Sequence, residues 1–134
     1  MNVPLVVAGA LGLVGASVHG VAGELLVVRR LSPERLPGSR FGGPMATMAM
    51  IRASWHMTTV AFVTAGTALL LAGTVLDGAA ARGAALVAAA AATGFAAIAL
   101  GGAARLGGRA LFRHPGPLLL TGVAGLAWWG VSLL

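Results

Sequence analysis

The sequence predicts an all-α fold: a polytopic transmembrane four-helix bundle with short loops and both termini on the outer face. Three observations predict it. Charged residues are only 9% of the 134, against about 25% in an ordinary soluble domain, while 58% are apolar and 21 more are glycine. The mean hydropathy is +0.94. Apolar runs recur at roughly the 20 residues that a helix needs to cross a bilayer core of about 30 Å, with most charges gathered between them. This composition excludes a soluble globular domain and a disordered tail. It also excludes a nucleic-acid-binding domain, because nine arginines scattered between apolar runs make no basic groove. Without cysteine, the chain has no disulfide, thiolate metal site, iron–sulfur cluster or covalently attached haem.

The first helix is expected over about residues 3–28, interrupted only by His19 and Glu24. Its start, Met1-Asn2-Val3-Pro4, lacks the positive region of a secretory signal, so it reads as a retained span. Pro33, Pro37, Gly38, Gly42, Gly43 and Pro44 then make a loop. The second helix is expected over about residues 45–76, interrupted by Arg52 and His56. Asp77-Gly78 is a short turn, and the third helix follows over about residues 83–104 without a charge. Gly107-Gly108 and His114-Pro115-Gly116-Pro117 punctuate the last connection. The fourth helix is expected over about residues 115–134, with a proline in its first turn.

Arginine counting sets the orientation. The first loop carries Arg29, Arg30, Arg35 and Arg40, with Arg52 nearby, and the third carries Arg105, Arg109 and Arg113. The second turn has only Arg82, opposed by Asp77. Both positive loops therefore belong in the cytoplasm, and Trp128 and Trp129 fall in the outer aromatic belt. Arg105, Arg109 and Arg113 share one helix face and are expected to meet lipid headgroups. Gly12, Ala16 and Gly20, with Gly9, Gly15 and Gly23, give the first helix a bare face. The third helix has the run Ala88–Ala92, and the fourth has Gly122 and Gly125. Such faces allow close approach in lipid, either within one bundle or between copies in a homo-oligomer.

Ionisable groups inside a membrane are functional candidates because they are costly there. Four qualify: His19, Glu24, Arg52 and His56. Counted from the cytoplasmic loop at the helical rise, His19 and His56 lie about 14 and 16 Å deep, and Glu24 and Arg52 about 6 and 10 Å. Matched depths predict a buried Glu24–Arg52 pair with a His19–His56 pair above it. The competing placement is interfacial: residues 57–76 could span alone, leaving Arg52 and His56 to snorkel among headgroups.

Facing histidines can ligate haem b, with arginines for its propionates. His19 and His56, with Glu24 or Met45, Met48, Met50 and Met57, are alternatively candidate ligands for a transition metal, although methionine more often fills gaps. A small proton-coupled transporter or channel is a third reading, against which few polar residues line a path: Ser17, Ser54, Thr58, Thr59, Thr64 and Thr67. His114 is either a further ligand or an interfacial residue. No triad, phosphate loop or dinucleotide fingerprint supports an enzyme.

The two motifs H-x3-G-E (His19, Gly23, Glu24) and R-x2-W-H (Arg52, Trp55, His56, here as Arg52-Ala-Ser-Trp55-His56) mark a resemblance. With them, the first half of the chain resembles a group of uncharacterised small bacterial four-helix integral membrane proteins. The resemblance brings no activity with it. It implies that these six residues form one site. The expectation is therefore a multi-pass protein of the bacterial cytoplasmic (inner) membrane, structural or accessory rather than enzymatic. Its partners are expected to be the lipid bilayer and a second copy or another membrane protein, with Glu24, Arg52, His19, His56 and Trp55 as a polar clasp.

Overall fold

Helix is the main regular structure in the computed structural model, which describes residues 1–40, 42–107 and 114–134; among these, a lone backbone bridge between Ser39 and Gly42 is the nearest thing to a strand. Helix α1 spans Val3–Ser17. Asn2 caps it, its Oδ1 accepting from the Leu5 amide at 3.2 Å, and Pro4 sits in the first turn, where its missing N–H is no loss. The rod continues through a π-helical turn, Val18–Ala22, into the short α2, Gly23–Leu26. Two 3₁₀ turns, Val28–Arg30 and Pro33–Arg35, carry the chain into the loop.

Pro44 opens α3, Pro44–Thr74, and Pro117 sits in the first turn of α5, Gly116–Ser132. Between them α4 spans Gly78–Arg105, with Gly78 itself in the left-handed region at φ 52°. The turn after α3 is therefore tighter than the sequence suggests. Residues 75–77 reverse the chain, and α4 begins five residues ahead of the expected position 83, taking in Arg82. The fourth helix is shorter than expected, 17 residues rather than about 20. Three of the helical stretches, Val3–Arg30, Pro44–Thr74 and Gly78–Arg105, are long and apolar enough to cross a membrane.

The four rods pack in a square. α1 lies against α3 and α5, and α4 lies against the same two from the opposite corner. The buried core is made mostly of alanine: Ala8, Ala72, Ala85, Ala88, Ala89, Ala92 and Ala127 surround Leu5 and Leu69. Large aliphatic side chains face outward instead, with Ile98 76% and Val87 73% exposed. Small residues inside let the backbones approach, so the rods gain dispersion contacts along their length.

The α1–α3 seam shows this most directly. A Cβ on Gly9 would meet the Gly66 carbonyl oxygen at 2.7 Å, and one on Gly12 would meet the Gly66 Cα at 3.4 Å. Further along, Gly20 faces Thr59 and Gly23 faces Trp55. On α3 the seam is Trp55, Thr59, Phe62, Gly66, Leu70 and Gly73, at steps of four, three, four, four and three residues, the spacing of helices that pack at a shallow crossing angle. The small-residue face of α1 is thus spent inside the chain. Gly94, Gly122 and Gly125 have open space where a Cβ would be.

At the end of the bundle that holds both termini, Asn2 ties three helices. Its backbone N–H donates to the Gly73 carbonyl at 2.8 Å, and its side-chain Nδ2–H donates to the Gly130 carbonyl at 2.8 Å. Trp128 links α5 to α4 by donating its indole N–H to Thr93 Oγ1 at 2.9 Å, a helix–helix contact beyond its expected place in an aromatic belt.

Candidate functional site

The π turn is the local feature from which the site grows. An extra residue in a helix interrupts the regular i→i−4 ladder and loosens its backbone pairing, which is why such turns recur at functional positions. Here the turn contains His19, and its carbonyl oxygen accepts the indole N–H of Trp55 from α3 at 3.2 Å. The same indole stacks on the His19 imidazole, with ring centroids 4.2 Å apart and planes 11° from parallel. Gly23 makes this fit, because a Cβ there would collide with the Trp55 ring. The aromatic contacts continue inward: Phe62 meets the His19 ring edge-on at 5.2 Å, and Phe95 from α4 meets Phe62 edge-on at 4.7 Å.

One helical turn on, the Glu24 carboxylate sits between two bases. Arg29 Nε lies 3.5 Å from Oε1, and His56 Nε2 lies 3.7 Å from Oε2. Three polar atoms at this crossing are buried without a hydrogen-bond partner: His19 Nε2, Glu24 Oε2 and Arg52 Nε.

At the α1–α3 crossing His19 and Gly23 meet Trp55, and Glu24 meets His56, so the pairings are other than those the depths suggest. Glu24 pairs with Arg29 and His56 rather than with Arg52. His19 pairs with Trp55 rather than with His56. The physical reason is register. With Gly20 at Thr59 and Gly23 at Trp55, Glu24 comes level with Trp55 and its neighbours. Arg52 continues the same seam about three residues, roughly 4.5 Å, nearer the loop. His56, one residue beyond Trp55, flanks the seam and reaches the carboxylate from its half-exposed side.

This geometry separates the candidate haem or metal ligands. His19 borders a half-open cavity between the rods, whereas the His56 ring turns to Glu24. Among the described residues no three His, Cys, Asp or Glu side chains come together as a metal site. Met45, Met50 and Met57 are exposed rather than gathered toward the histidines. Ser17 and Thr58 donate their hydroxyls to the carbonyls of Leu13 and Ser54 in their own helices. Arg105 ends α4 with its side chain exposed; Arg109 and Arg113 lie outside the described residues.

The sequence alone does not single out Phe62, Phe95 or Asn2, and it offers Thr59 only as a polar residue of a possible path. Phe62 and Thr59 carry a signal, standing seven and four residues after Trp55 on one face. Asn2 carries a weaker one, a capping residue two before a proline. No protein-family model, curated protein or solved structure matches the chain.

Proposed function

We propose that the protein is a multi-pass integral membrane protein of the bacterial cytoplasmic membrane with a structural or accessory role, organised by a polar clasp between its first two rods. In this reading the arginine-bearing loops face the cytoplasm and both termini lie outside. The outward-facing aliphatic side chains meet lipid, and the alanine core supplies close helix packing. The observation that carries the clasp is the seating of Trp55. Its ring covers Gly23, stacks on His19 and satisfies the His19 carbonyl in the π turn. Three independent contacts on one side chain hold α1 and α3 in one register.

The Glu24–His56–Arg29 group lies beside that anchor and adds direction to it. A carboxylate flanked by two bases favours this register over a slip of one turn, which would leave the acid facing apolar side chains. Because Arg29 and His56 are largely exposed, each contact contributes at most about 1 kcal/mol.

A double-mutant cycle tests the clasp. Glu24→Gln and His56→Gln are expected to show a coupling of about 0.5–1 kcal/mol in unfolding free energy. Glu24→Gln and Arg52→Gln are expected to be additive within about 0.3 kcal/mol. The opposite ranking would overturn the arrangement.

A further inference from the structure

A cavity of about 590 Å³ lies between the rods, bounded in part by His19 and Trp55, by Phe62 and Leu69 of α3, and by His114 and Val123. That volume is in the range of pockets that hold a small organic molecule, about 300–1,000 Å³. Its long dimension follows from the helices that wall it. From Trp55 to Leu69 on α3 is fourteen residues, about 21 Å at the helical rise.

The lining is graded along that axis. His19, Thr58 and His114 lie at the end nearer the arginine-bearing loops, together with the aromatic wall of Trp55, Phe62 and Phe95. The other end is aliphatic, with Leu11, Leu69 and Val123. Among the described residues, no Asp, Glu, Arg or Lys lines the cavity. An ionic headgroup seated among them would find no counter-charge, which disfavours a phospholipid or a carboxylate-bearing ligand. The two imidazoles come from different rods, α1's π turn and the residues leading into α5. Each neutral imidazole offers one N–H donor and one acceptor.

The geometry points to a neutral, lipid-soluble ligand with a flat ring, carbonyl acceptors at its edges and an apolar tail: a prenylated quinone, its ring at the His19–His114 end and its tail toward Leu69 and Val123. The aromatic wall supplies ring faces and edges for stacking, the imidazoles supply donors for the carbonyls, and the aliphatic end takes the first part of the tail. The site is independent of the clasp's ion pairs, although both use the His19–Trp55 stack.

The test uses the full chain in detergent, with Trp128→Phe and Trp129→Phe so that Trp55 is the sole indole. Titration with decylubiquinone is expected to quench Trp55 fluorescence saturably, at one molecule per chain. His19→Phe keeps a ring of similar size and removes the hydrogen bond, and is expected to weaken binding about tenfold. Ala65→Phe adds a ring to the cavity wall and is expected to abolish saturation. Decylbenzene, which has the tail and ring without carbonyls, is expected to compete poorly. Quenching that stays linear, or is unchanged by Ala65→Phe in a chain that still unfolds cooperatively, would overturn the proposal. So would competition by decylbenzene as strong as that by the quinone, or displacement by phospholipid alone. Clasp failure would show separately, in ligand-free unfolding free energies.

Discussion

Gly23→Ala puts the packing argument at its most exposed point. The new methyl group would collide with the Trp55 ring, so the indole must move or the helices must separate. Forcing extra volume into a packed contact costs typically about 1–3 kcal/mol. If the indole leaves its seat, the bond to the His19 carbonyl is lost as well, about 1 kcal/mol. The stack on the His19 ring contributes about another 1 kcal/mol. Against this, alanine gains up to about 1 kcal/mol over glycine inside a helix. The expected net destabilisation is about 2 kcal/mol. Gly94→Ala supplies the control, because a Cβ there meets nothing within 4 Å. It is expected to be neutral or to stabilise by up to about 1 kcal/mol. Equilibrium unfolding in mixed micelles, followed by the fluorescence of Trp55 alone, reads both. The Gly23→Ala indole is also expected to change its emission before unfolding, since it no longer stacks on the imidazole. Equal stability of the two variants, with unchanged emission, would refute the seating of Trp55 as the determinant of register.

Two further outcomes follow from the same structure. Asn2→Ala removes both the side-chain cap and the bond to the Gly130 carbonyl, and is expected to lower stability by about 1–2 kcal/mol in the same unfolding assay. For orientation, the absence of native cysteine permits single reporters. Ser39→Cys is expected to react with an impermeant thiol reagent only in inverted vesicles, and Asp77→Cys only in intact spheroplasts. The reverse pattern would invert the proposed topology.

Much of the architecture is legible in composition and spacing, because helix length and apolarity are local properties. The helical segments, their prolines at first turns and the turn near Asp77 follow from such local rules. His19 and Gly23 meet Trp55, and Glu24 meets His56, since neighbouring rods joined by one loop bring like depths together. What spacing cannot supply is register to within a turn. A shift of three or four residues preserves the same helix face and nearly the same depth, so Glu24–Arg52 and Glu24–His56 look equivalent in one dimension. The difference is decided by steric contacts at Gly20 and Gly23, against which Thr59 and Trp55 pack.

By itself, then, the sequence determined a helical, strongly apolar chain with its charges at the loops and a small polar group at the crossing of the first two rods. Those conclusions rest on hydropathy, helix period and turn chemistry, each of which acts within a few residues. The tertiary structure alone decided which partners that polar group takes, that the small faces of α1 and α4 are used inside the chain, and that four rods leave a graded cavity between them. These are properties of surfaces brought together from distant parts of the chain.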